Sequence, residues 1–154
     1  MKKLEYMVIY IIRGLKKMSH QRVGRTRLMK ILYLADWLAT QRLGRSLTGV
    51  KYYFYFYGPY SDRIMNAIES LIQRGIMEDS PDLTQFGVAH DYRLTEKAHE
   101  LNIEGQLSND ERELLDRVLE KFGRLSLPQL LDVVYATAPM KRAVPGEAIR
   151  LDPR

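Results

Sequence analysis

The chain has no cysteine among its 154 residues. That absence excludes disulfides, thiolate metal sites, iron–sulfur clusters and cysteine nucleophiles together, and makes folding independent of an oxidising compartment. Apolar runs are short, so no membrane-spanning helix is expected. The start, Met1-Lys-Lys and then the apolar Met7–Ile12, imitates a signal peptide, but Arg13 breaks it and no small-residue cleavage site follows. The expectation is mature, cytoplasmic sequence. The ten glycines are scattered and none precedes Lys-Ser or Lys-Thr, so a phosphate-cradling loop is missing. His20, His90 and His99 lie apart, without ligand spacing between them, and no metal or other cofactor is expected. The carboxylates Asp110, Glu111, Glu113 and Asp116 crowd the start of one helix, where they favour its dipole and face solvent. Serines lack a nucleophile-elbow context. The residues outline no catalytic constellation.

What remains is the composition of an ordinary globular protein, 45% hydrophobic and 28% charged, with a net charge of +5. The charge is uneven. Residues 1–45 carry eleven Lys and Arg against only Glu5 and Asp36, which leaves the remainder net acidic. Such asymmetry invites a nucleic acid or an acidic protein as partner.

Hydrophobic spacing supplies the elements. Leu4, Met7, Val8, Ile11, Ile12 and Leu15 make one stripe of a first helix, read as core packing and not as a membrane anchor. A second helix, from about Arg25 to Leu43, is apolar nearly all the way round and belongs at the domain centre, with Gly44 ending it. Asp36 on that helix is a buried carboxylate that must be satisfied, and tying the helix to a neighbouring loop is the preferred role. Six consecutive aromatics, Tyr52 to Tyr57, predict a strand broken by Gly58-Pro59. Strand alternation sends Tyr53, Tyr55 and Tyr57 to one face and Tyr52, Phe54 and Phe56 to the other.

Ser61 is the N-cap of a third helix stopped at Gly75. A strand near Ile76–Asp79, a loop from Ser80 to His90 and a strand at Tyr92–Glu96 leading into another helix give a winged-helix outline. Ser108 with Glu111 opens a further helix by a capping box. A last short helix begins near Ser126 and is finished by Pro139. The expected class is mainly α in an α+β arrangement, a helical domain (1–142) with a small winged-helix-like hairpin and an irregular tail (143–154).

Three motifs stand in order: Arg27-Leu-Met-Lys-Ile-Leu-Tyr-Leu-Ala-Asp-Trp37, Gly44-Arg-Ser-Leu-Thr-Gly49, and Tyr53 with Tyr57-Gly-Pro59. Together they resemble the Panacea-domain (SocA-like) family over roughly residues 26–137. The resemblance implies a mostly helical, non-enzymatic domain that binds another protein. Its characterised branch acts as an antitoxin, neutralising a toxin by contact or presenting it for degradation. Motif positions are Tyr33, Asp36, Gly44, Thr48, Gly49, Gly58 and Pro59. Exposed Tyr and Phe make a protein-binding hot spot or a base-stacking platform, and helices covering both faces of the strand would remove either. The candidate partner surface is Tyr52, Tyr53, Tyr55, Phe56, Tyr57 and Tyr60. The alternative is a winged-helix DNA-binding regulator, with Arg22, Arg25, Arg27, Arg63, Asn66 and Arg74 as candidate contacts. Against it stands the wing segment Glu78–Asp91, which holds four carboxylates and no Lys or Arg.

Overall fold

The apolar stripe at the start becomes α1 (Lys3–Met18), with Leu4, Met7, Val8, Ile11, Ile12 and Leu15 all buried. A computed structural model describes residues 1–152 of the chain. Helix α2 (Arg25–Leu43) runs through the centre, buried from Arg27 to Asp36 without interruption. It ends at Gly44, whose φ of +75° is the left-handed cap that glycine adopts without steric cost. Around α2 pack α1, α5 (Asn109–Phe122), α6 (Leu127–Tyr135) and strand β2 (Gly58–Tyr60). Close approach of α1 and α5 depends on Gly14, where an added Cβ would lie 2.5 Å from Leu119 Cδ1.

The aromatic run is not one strand. Tyr52–Tyr55 form β1, Phe56 and Tyr57 turn, and Gly58–Tyr60 return antiparallel as β2, with Tyr53 opposite Tyr60 and Tyr55 opposite Gly58. Gly58-Pro59 therefore begins the return strand instead of breaking the first. Proline is tolerated because β2 lies at the edge of its three-stranded sheet, beside β1. The third strand, β7 (Ala148–Ile149), corrects the expectation of an irregular tail. Ile149 lies opposite Tyr52 and is buried, a long-range pairing with no local period to announce it. The tail's last two residues lie outside the described residues.

Helix α3 (Asp62–Gln73) is capped as expected, Ser61 Oγ accepting from Ile64 N–H at 3.3 Å. The segment read as a loop is strand-paired. β3 (Met77–Asp79) pairs with β6 (Tyr92–Leu94), and β4 (Asp82–Thr84) with β5 (Gly87–Ala89). The two pairs keep one register and form a long arm interrupted at Ser80-Pro81, where proline has no N–H to donate. Helix α4 (Glu96–His99) follows. Ser108 and Ser126 open α5 and α6, each by a capping box. Pro139 does not finish α6, which stops at Tyr135; it occupies the first turn of α7 (Ala138–Lys141), where a missing N–H is harmless. The class is mainly α with short antiparallel strands.

Candidate protein-interaction site

Two polar side chains of α2 hold the aromatic hairpin in place. Asp36 is fully buried, and its carboxylate is matched by four donors. Oδ1 accepts the backbone N–H groups of Leu47 and Thr48, each at 2.8 Å, while Oδ2 accepts Thr48 Oγ1 at 2.6 Å and Tyr52 Oη at 2.7 Å. Burial pushes the Asp36 carboxyl upward from its ordinary pKa, and the four hydrogen bonds oppose that shift. One residue thus fastens the Gly44–Gly49 turn and the first residue of β1 to the central helix. Tyr52 is buried in this cluster, its ring edge-on to Tyr33 at 5.5 Å, and Tyr33 Oη is 2.8 Å from Thr137 Oγ1.

Lys30 is the second anchor. Its side chain is buried, and its ammonium donates to the carbonyl oxygen of Tyr57 in the turn of the hairpin. Among the described residues no carboxylate forms an ion pair with it. Burial alone pulls its pKa down from 10.5 to about 8, so the group is mostly protonated at neutral pH. Gly58, at φ +93°, closes over this point; a Cβ there would lie 3.7 Å from both Lys30 Nζ and Tyr135 Oη.

Above these anchors the hairpin is open. Phe56 is 96% exposed, Tyr57 69% and Tyr55 45%. On one face of the sheet Tyr53 and Tyr55 stack at 6.0 Å, Tyr55 meets Tyr60 at 5.4 Å, and Lys51 Nζ lies 6.0 Å from the Tyr53 ring centroid. On the other face Phe54 packs edge-on against Tyr135 at 5.9 Å. The six aromatic candidates therefore divide three ways. Tyr52 belongs to the core, Tyr53 and Tyr60 are half-buried, and Tyr55, Phe56 and Tyr57 are exposed. The strict alternation expected for Phe56 and Tyr57 fails because the chain turns there.

The basic candidates are dispersed. Arg27 is buried and donates to the carbonyl oxygens of Arg22 and Leu125 and to Gln21 Oε1, which consumes its guanidinium within the fold. Its position toward phosphates is therefore not the one expected. Arg22 pairs with Asp82 at 2.7 Å, and Arg25 is exposed. Arg63, Asn66 and Arg74 line a cleft of about 560 Å³ between the start of α1 and α3, with buried Glu5 among its walls. Glu5 accepts from Ser70 Oγ at 3.0 Å and lies 3.9 Å from Arg74. No cluster of metal-ligating side chains occurs among the described residues. No helix among them is long and apolar enough to cross a membrane.

The motif residues meet at this hairpin: Tyr33 and Asp36 below it, Gly44, Thr48 and Gly49 in the adjoining turn, Gly58 and Pro59 in its return strand. Sequence reasoning missed Lys30, Tyr135 and Ile149. A signal for Lys30 was present, since a helix apolar on every side leaves a lysine no solvent face.

Fold and site define a mainly helical domain that fastens an aromatic hairpin rigidly and leaves its turn bare. Residues 28–139 match the family model described as antitoxin SocA-like, Panacea domain, and the chain belongs to that family. The match runs from within α2 to within α7, so α1 and β7 lie outside it. No curated protein and no solved structure gives a significant match.

Proposed function

We propose that the chain is a cytoplasmic antitoxin that works by binding, holding a toxin in an inactive complex or presenting it for degradation. The carrying observation is Phe56, 96% exposed beside Tyr55 and Tyr57 on a hairpin fixed from beneath by Asp36 and Lys30. Exposing three large rings gains nothing for folding, whereas aromatic anchors on a rigid support are the composition of a binding hot spot. Membership of an antitoxin-like family supports a toxin as the class of partner. The reading takes residues 1–142 as the binding domain, with β7 of the tail paired to its docking hairpin.

The test is growth rescue. Each open reading frame adjoining this gene is expressed alone, and any that arrests growth is then co-expressed with the chain. Rescue by the wild type and its loss on Phe56→Ser, with equal protein levels, is the expected result. Rescue that survives Phe56→Ser combined with Tyr57→Ser would move the binding site elsewhere. Absence of any rescued arrest would remove the antitoxin reading.

A further inference from the structure

A buried ammonium without a counter-ion is costly, and proteins ordinarily pair it or neutralise it. Lys30 does neither. Its ammonium is taken up by a single carbonyl, that of Tyr57, which belongs to the most exposed turn of the sheet. Among the described residues no carboxylate forms an ion pair with it, and burial alone accounts for its lowered pKa. A charge held in low-dielectric surroundings is weakly screened, and the Lys30 ammonium lies within a hydrogen bond of the turn's backbone. Beyond the turn the charges are mixed. Lys51 and Arg150 stand at the far end of β1, and Glu147, whose carbonyl accepts Phe54 N–H at 2.9 Å, lies nearer. The turn that carries Phe56 and Tyr57 therefore has bonded to its backbone an ammonium that, among the described residues, has no ion-pair partner.

We infer that the turn receives an acidic segment of its protein partner, with an apolar side chain seated against Phe56 and Tyr57 and carboxylates beside it facing Lys30. This rests on the reading of the hairpin as the docking site and adds the chemistry of what docks. An acidic segment is favoured over a neutral one because the buried charge gains a partner only on binding. A basic segment would meet repulsion at the centre of the contact.

The experiment pans a random-peptide phage library on the full chain and on its Phe56→Ser variant. Peptides kept by the wild type and lost by Phe56→Ser are expected to carry Asp or Glu flanking an apolar residue. A synthetic peptide of that consensus should bind Lys30→Met about tenfold more weakly, the scale of one uncompensated charge pair. Lys30→Gln serves as the second variant, keeping a donor for Tyr57 while removing the charge, and should weaken binding likewise. Phe56-dependent peptides that are neutral or basic would overturn the inference and leave the docking site standing. So would acidic peptides that bind Lys30→Gln as tightly as wild type. Failure to recover any Phe56-dependent peptide would overturn the docking site itself and the inference with it. Retention of a labelled single-stranded oligonucleotide, lost on Phe56→Ser, would assign the rings to base stacking and overturn the proposal.

Discussion

The β1–β2 and β4–β5 hairpins each hold a nearly fully exposed phenylalanine, Phe56 at 96% and Phe86 at 92%, yet they are fastened differently. Beneath Phe56 lie Lys30, the Asp36 cluster, Tyr135 and the pairing with β7. Beneath Phe86, among the described residues, there is only its own hairpin. Every residue from Pro81 to Val88 is exposed, and the side-chain ties include Thr84 Oγ1, which donates to the Gly87 carbonyl at 2.7 Å and accepts from Phe86 N–H at 3.2 Å, and the Arg22–Asp82 pair on the surface. The arm is held lower down, where Asp91 bonds Lys16 at 2.5 Å and Val23 N–H at 3.1 Å. A two-stranded hairpin without packing is marginal in water. Phe86, with Leu83 and Val88, therefore forms an apolar tip on an exposed hairpin, whereas the backbone that carries Phe56 is fastened to the core. A partner pays less ordering entropy at the β1–β2 hairpin and more at the β4–β5 hairpin.

The largest separation of the two hairpins comes from their carboxylates. Asp36→Ala leaves four donors unmatched inside the protein and should cost about 3–5 kcal/mol, read as a shifted urea midpoint or outright loss of the folded transition. Asp82→Ala, on the exposed arm, should leave that midpoint where it is. Equal effects would dissolve the contrast.

Lys30 comes next, and its sign is opposite. Its folded pKa is about 8 against an ordinary 10.5. Between these values the unfolded chain binds more protons, so this group makes wild-type stability rise with pH across that window and level off above it. Below pH 8 the full penalty stands, up to about 3 kcal/mol, offset by the bond to Tyr57, itself about 1 kcal/mol. Lys30→Met should then be more stable than wild type at pH 7, with the gap closing as pH rises from 8 toward 10.5. Paired denaturant titrations at several pH values would show it.

Smaller effects separate the two turns. Gly58 and Gly87 both adopt positive φ, +93° and +110°, and an alanine at either meets about 1–2 kcal/mol of backbone strain. At Gly58 the strain should appear in global unfolding, because the β1–β2 hairpin is part of the core structure. At Gly87 it should appear only as faster amide exchange in β4 and β5, a local opening. Smallest of all, Phe56→Ser and Phe86→Ser should each change stability by less than about 0.5 kcal/mol, since neither ring is packed.

Much of this was legible in the residues. The stripe Leu4 to Leu15, the all-round apolar α2, the caps Ser61, Ser108 and Ser126 and the left-handed stop at Gly44 are local patterns, and local patterns survive into the fold. Asp36 was legible for the same reason, as a carboxylate on a helix with no wet side. The aromatic hairpin was not. Six rings in a row carry no alternation to mark where a chain reverses, and the reversal is set by Lys30 and Gly58 from outside the run. Strand β7 escaped because two residues pairing with β1 from more than ninety positions away leave no period. Pro139 misled because a proline that cannot continue one helix can equally begin another.

On the proposed function the anchored hairpin, and not the free one, docks the partner. Titrating the growth-arresting protein found by rescue against wild type, Phe56→Ser and Phe86→Ser separates the two. Phe56→Ser should weaken the Kd about 30-fold or more and Phe86→Ser should leave it unchanged. A loss confined to Phe86→Ser would place the docking site on the free hairpin instead.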